Sequence, residues 1–483
     1  MEHEYARSMT MRCLLVVLAL VISVAVPSAT AHGGSPGQLL WQDRLPGFVF
    51  PSDVAVEGDH VVVVGTISDA PFNTTCRCFP TDFLVRVYQA ETGDLLWQDR
   101  VDNGFADAAR AVIIDGGMVF VGGRTLHAHA LPGPNSNSDV FVRAYDLGRG
   151  TLVWQDQFDR AGHFDEVFLR NIAVDQGRLF VGGRSQSANG DSDFFVRAYD
   201  ARTGTFLWQD FFDGGGGLFD VAYSVAADEG RVFGAGSTTD AARIQHFTVR
   251  AYDGATGGLL WMDQQATGAA NASLRGTDTA QKIVAQGGRV VAAGAITNAA
   301  GTRSQFAVRA YDAGTGAVLW SDLLDTGGGA DVAQWVALAG SRVVAAGFGG
   351  AGCNFNELVT NCDWLVRAYD VGNGTLLWSK QRDQSGTDDS AEFVVVQGNR
   401  VIVSGVAHFR LNAAGRFEQD WLVQAYDAQN GDLVWEDRLS QSNMDIVPNA
   451  GLVVQGDRVF AAGNASSNIT GGTDWLVRAY ELH

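Results

Sequence analysis

Apolar and polar residues alternate with period two in short runs along almost the whole chain, as in "FFVRAYD" (194–200) and "TFLWQD" (205–210). That alternation, rich in β-branched and aromatic residues and broken by Gly-containing turns, predicts strands. No stretch carries the 3.6-residue period of a long amphipathic helix. The runs pair into two hairpins, "IAVDQGRLFVGG" (172–183) and "RAYDARTGTFLWQD" (197–210).

The two hairpins recur together, which makes the repeat the unit of the fold. Tryptophan closes the second hairpin as Trp41, Trp97, Trp154, Trp208, Trp261, Trp320, Trp378 and Trp435, at spacings of 53–59 residues. A tyrosine keeps the same rhythm from Tyr88 to Tyr480. Each unit therefore holds four short strands, A to D, and radial repetition of such sheets makes a β-propeller. The first unit is a lone D strand (38–43) and the last ends on a C strand (475–480). Pairing these two strands closes a ring of eight four-stranded antiparallel blades, an all-β fold occupying 32–483 as one domain. An open solenoid would need polar caps, and the ends show none.

The pattern Ala-x-Asp-x-x-Thr-Gly-x-x-x-Trp, complete at Ala198, Asp200, Thr203, Gly204 and Trp208, resembles the tryptophan-docking motif of pyrroloquinoline-quinone (PQQ) repeats. The resemblance covers nearly all of 32–483. It implies an eight-bladed quinoprotein-type propeller, a family that includes dehydrogenases and cofactor-free members such as the propeller of the outer-membrane assembly machine. Some copies depart from the motif: Gly148-Arg149-Gly150 and Gly372-Asn373-Gly374 lack the Thr, and Val87 replaces the Ala.

Two charged columns run through the strands. Arg86, Arg143, Arg197, Arg250, Arg309, Arg367 and Arg478 share one position, with Gln424 the exception. Asp43, Asp99, Asp156, Asp210, Asp263, Asp322 and Asp437 follow the docking Trp by two, with Lys380 the exception. Pairing each Asp with the Arg one repeat later brings the exceptions together, so the columns predict an inter-blade ladder in which Lys380 faces Gln424.

Composition narrows the function. The 483 residues carry a net charge of −20, with Lys282 and Lys380 the only lysines. Such a surface repels phosphate backbones and excludes nucleic acid as a partner. Arg12, the apolar run 13–26 and Ala29–Ala31 predict a secretory leader over 1–31, hence a secreted or periplasmic protein. No later segment is long and apolar enough to span a bilayer, and a monomer is expected. In an oxidising compartment Cys353 and Cys362, which flank one loop, are expected to bridge. Cys76 and Cys78 stay open between a strained disulfide and an incomplete metal site.

The A-to-B and C-to-D turns are short and uniform, whereas the D-to-A and B-to-C loops are long and varied. A site is expected at the channel mouth on the long-loop face. There, two residues before a conserved-looking apolar position of strand A, the repeats diverge: Ser52, Arg110, Arg170, Tyr223, Gln281, Gln334, Glu392, Ala450. Arg110, Arg170, Tyr223, Lys282, Trp335 and Glu392 are the ligand-face candidates. Asp107, Asp220, Asp278, Asp331 and Asp389 recur nearby and predict a turn or strand-entry cap. His127, His129, His163 and His246 are expected as exposed loop residues.

No catalytic residue and no metal site is assigned. The expected function is a non-enzymatic scaffold that binds a protein, peptide or glycan on the long-loop face, with no cofactor. The alternative implied by the resemblance is a dehydrogenase using PQQ with Ca²⁺. The chain lacks the adjacent Cys pair of many such enzymes, and it has no C-x-x-C-H haem motif.

Overall fold

The computed structural model describes residues 35–69, 80–103, 106–127, 137–160, 163–266, 278–353, 361–383, 387–411, 417–440, 444–467 and 472–483. The predicted leader, Cys76 and Cys78 lie outside these residues. The period-two runs form 32 strands, and none of the described residues is helical. They build eight antiparallel A-B-C-D blades spanning 48–101, 108–158, 165–212, 221–265, 279–324, 332–382, 388–439 and 444–481. Blade 8 lacks its own fourth strand and takes Leu39–Leu45 from the other end of the chain, in the register Trp41↔Ala479 and Leu45↔Trp475. The closing pair is thus the one the sequence predicts, extended by two residues. Innermost strands touch their neighbours in an unbroken circle, blade 8 meeting blade 1.

The core lies between blades. Side chains alternate, so each blade sends one set of apolar residues to either neighbour. Val62, Val64, Phe83 and Val85 of blade 1 pack on Ala109, Val119, Val121 and Phe141 of blade 2.

Each interface is completed by a docking Trp. Its indole lies on a glycine of the next blade, Trp154 on Gly204 and Trp435 on Gly37 at the closure. These eight glycines have φ between 68° and 76°. A Cβ there would stand 2.5–2.7 Å from the nearest atom, an indole carbon or, at Gly431, equally the Lys380 side chain. Seven indole N–H groups donate to a carbonyl of the same turn at 2.7–3.0 Å, and at the closure Trp435 donates to Leu482 O, across from Gly37, at 3.4 Å. Burying the indole contributes about 2–3 kcal/mol per interface.

The predicted ladder is present. All seven Arg–Asp pairs bridge neighbouring blades at 2.9–3.2 Å. The tyrosine column joins it: Tyr199 Oη donates to Asp156 at 2.8 Å and accepts from Arg197 Nε at 2.7 Å. The eighth rung differs from expectation. Lys380 lies 3.7 Å from Asp432 and Gln424 donates to Glu436 at 2.9 Å, so each turns to another partner. A neutral amide gains little from an ammonium when each has a carboxylate of its own within reach.

Every A strand carries a β-bulge against strand B. The bulge drives a strand-A carbonyl toward strand B at Gly65, Gly123, Gly183, Gly236, Gly294, Gly347, Gly405 and Gly463. A Cβ at these positions would lie 1.8–2.2 Å from that oxygen. This close approach is why strand B repeats a glycine there.

Two stability outcomes follow. Gly204→Ala should cost about 3 kcal/mol in denaturant unfolding, combining left-handed strain and a displaced indole. Gly58→Ala, at φ 56° with open space around it, should cost only about 1 kcal/mol; equal costs would refute the docking role. Deleting 32–45 removes Trp41, Asp43 and the closing strand, and should lower the melting temperature by about 10 °C or more.

Candidate functional site

The bulges decide what faces the channel. An extra residue in one strand re-aims its side chain, and the residues released by the eight bulges include the divergent series beginning Ser52, Arg110 and Arg170. In blade 3 the bulge widens to 168–171 and Arg170 adopts a left-handed φ of 57°. That conformation costs a non-glycine residue about 1 kcal/mol or more. It sends Arg170 across the channel to the opposite side of the ring. The guanidinium carbon lies 4.4 Å from the Phe393 ring centre on blade 7 and 5.7 Å from that of Trp335 on blade 6. Lys282 Nζ stands over the same indole at 4.3 Å.

Arg170, Tyr223, Lys282, Trp335 and Glu392 line one cavity of about 530 Å³. Arg110 lines a second, of about 370 Å³, which shares Phe168, Leu169 and Tyr223 with the first. The six residues picked from sequence are thus gathered at two adjoining cavities. They sit where strands A and B meet the long loops, and each is half-buried.

The electrostatics were less visible. Asp53, one residue past the divergent column, accepts from Val54 N at 2.9 Å and from Val112 N of blade 2 at 2.8 Å. Burial pushes its carboxyl up to about 6, against the pull of Arg170, the two amides and Lys282. Burial raises Glu392 to about 7, opposed by Arg170. Burial likewise lowers Lys282 to about 8, with Asp53 opposing and Arg170 adding to the fall. The position after the repeated strand-B glycine was also missed. It reads Thr66, Arg124, Arg184, Ser237, Ala295, Phe348, Val406, Asn464, and its two arginines line the second cavity.

The aspartate column is structural where its bonds are described. Asp107 accepts from Asn103 N at 2.6 Å, Asp220 from Thr239 N at 2.6 Å and Asp331 from Thr326 N at 2.8 Å. Asp165 does the same in blade 3 for Arg160 N at 2.7 Å, hidden from the sequence pattern by the wider bulge. Two of the four predicted loop histidines are strand residues: His127 ends strand Met118–His127, and His246 lies in strand Gln245–Asp253, half-buried, with Nε2 3.1 Å from Asp240; His163 is half-buried rather than exposed, and His129 lies outside the described residues. Cys353 and Cys362 form the expected disulfide. Among the described residues, no three His, Cys, Asp or Glu side chains cluster as metal ligands, and no helix is long and apolar enough to cross a membrane.

Ring, docking motif and channel site define a propeller of the quinoprotein type. Residues 136–305 and 192–470 match the family model described as outer membrane protein assembly factor BamB. The matches span more than half of the chain, and the chain belongs to that family of PQQ-like repeat propellers. No curated protein matches the sequence. Among solved structures, a quinohemoprotein alcohol dehydrogenase from Comamonas testosteroni aligns with a TM-score of 0.56 at 13% identity, over 92% of this chain and 76% of its own. Another from Pseudomonas putida gives 0.53 at 16%, again over 92% and 76%. A europium-containing methanol dehydrogenase gives 0.54 at 12%, over 91% and 93%. At such identities the likeness is one of fold.

The raised carboxyl of Glu392 has a measurable sign. Its folded-state proton affinity exceeds the ordinary one, so ionising it costs stability: nothing below about pH 4.5, everything above about pH 7. Glu392→Gln should therefore gain on the parent between pH 4.5 and pH 8. The expected gain is about 2 kcal/mol after allowing for water in the cavity. Parallel stability curves for the two proteins would show that Glu392 titrates normally.

Proposed function

We propose that this protein is an exported, non-enzymatic binding propeller whose long-loop face holds a protein, peptide or glycan ligand. One observation carries the reading: the most divergent side chains of an otherwise repetitive ring converge on two adjoining cavities at one end of the channel. A symmetric scaffold supplies the bulges, and blade-to-blade variation makes the pocket asymmetric, as recognition of an asymmetric ligand requires. The predicted leader supports export, and the assembly-factor family supports a binding role.

The residues present do not fit PQQ with Ca²⁺. Glu392 is the one carboxylate among the described residues lining the larger cavity, whereas Ca²⁺ takes about six to eight oxygen ligands, usually with several carboxylates among them. The Trp335 face on which a planar quinone would stack carries Lys282 at 4.3 Å. Arg170 spans the channel from blade 3 to Phe393 on blade 7, in the space a planar ring would need.

A titration with PQQ in excess Ca²⁺, followed by tryptophan quenching and cofactor absorbance, should show no saturable binding. One-to-one binding, with dye-linked alcohol oxidation lost in Glu392→Ala and Trp335→Ala, would overturn the proposal in favour of a dehydrogenase.

A further inference from the structure

The second cavity holds more positive charge than its surroundings balance. Arg110 comes from the bulge of blade 2. Arg124 and Arg184 come from the B strands Met118–His127 and Arg178–Gln186, and Glu166 from strand Asp165–Asp175. Glu166 accepts from Arg124 Nη1 at 3.0 Å and from Arg184 Nε at 3.0 Å, while Arg110 Nη2 stands off at 4.0 Å. Three guanidinium groups and one carboxylate leave two positive charges over, inside a chain whose net charge is −20. The Nε atoms of Arg110 and Arg124 are buried without a hydrogen-bond partner.

Crowding like charges beside unmet donors is unfavourable unless something else satisfies them. A structural ion pair would need one arginine, not three. The surroundings keep the forks in place: Arg124 and Arg184 lie over the Phe164 ring at 5.3 and 4.5 Å, which limits how far they swing. Phe219, 64% exposed, lines the cavity and stands 5.8 Å from the Arg184 guanidinium. A volume of about 370 Å³ admits an oxyanion together with part of the group that carries it.

We infer that this cavity is an oxyanion site for a compact group of two negative charges, a phosphoryl group or paired carboxylates, carried by the ligand of the long-loop face. Arg110, whose guanidinium stands 4.0 Å from Glu166, supplies donors that the carboxylate does not engage, Arg124 and Arg184 supply the further charge, and Glu166 anchors these two forks and competes with an incoming anion for them. This rests on the long-loop face being a ligand face, but anion binding itself needs no macromolecular partner. A failed search for a partner therefore leaves the site standing, and a failed anion titration leaves the wider binding role standing.

The test is calorimetric titration of the purified full chain with sodium sulfate, sodium phosphate, sodium malonate and sodium acetate, at ionic strength fixed with sodium chloride. Sulfate, phosphate or malonate should bind one site saturably and acetate should not; whether the tetrahedral ions or malonate bind more tightly distinguishes the two sources of charge. Arg184→Gln should weaken binding at least about tenfold. Arg149→Gln, at an exposed turn, should leave it unchanged. Glu166→Gln removes the competing carboxylate and should tighten binding about tenfold, which keeps the test decisive if Arg184→Gln folds poorly. Absence of saturable binding, equal binding of acetate, or binding unmoved or weakened by Glu166→Gln would overturn the inference.

Discussion

Everything in this ring is phased by one contact, an indole laid flat on a glycine in the left-handed conformation. The contact needs three things of the receiving turn at once: a positive φ, no Cβ, and a carbonyl turned toward the indole N–H. Only the turn of the following blade offers them, so the contact is always between blades. Once Trp154 lies on Gly204, Tyr199 packs beside the indole, tilted by 32° with ring centres 5.8 Å apart, and Asp156, two residues on, meets both Arg197 and Tyr199. The ion pairs are therefore consequences of the docking geometry. Partly buried pairs of this kind define register more than they add net stability.

A second device, the bulge of strand A, separates architecture from function. Its close approach to strand B is made by backbone atoms against a glycine. The bulge residue's own side chain is thus largely released from blade packing and can vary without weakening an interface. The same position holds Ser52, Arg110, Tyr223 and Glu392 in different blades. Blade 3 goes further, with a wider bulge that carries Arg170 to the far wall. Asymmetry in the channel arises from widened bulges in blades 3 and 8 and a few substitutions on a nearly regular frame.

The fold was legible because eight copies repeat the same message. A column that is Trp, Gly, Arg or Asp in most repeats stands out without any other sequence for comparison, and the register of the ring could be read from where the exceptions fall. The site was legible only where a column visibly diverged. Asp53 was missed because it sits inside an apolar strand pattern, and nothing in that pattern marks the bulge that turns it toward Arg170. Arg124 and Arg184 sit one residue past a repeated glycine and look like strand continuations until strand A is known to bulge against them. The paired apolar residues before each docking Trp mislead in the other direction. Leu259 and Leu260 suggest core, yet they are 51% and 46% exposed, because a second bulge between strands C and D breaks the alternation there.

The borrowed strand of blade 8 has a consequence in time. Leu39 and Tyr480 pair across roughly 440 residues of chain, whereas the hairpins inside each blade close over about ten. Loop-closure entropy grows only logarithmically, so the long closure costs about 3 kcal/mol more than a hairpin, which is modest at equilibrium. The kinetic burden is heavier. The first strand made is the last that can be buried, and until the final C strand exists Trp41 and a strip of unpaired backbone remain available to any other edge. Seven blades can stack in succession while this segment waits. The molecule's most aggregation-prone interval is therefore the one just before the ring closes, when strand Leu39–Leu45 is still unpartnered.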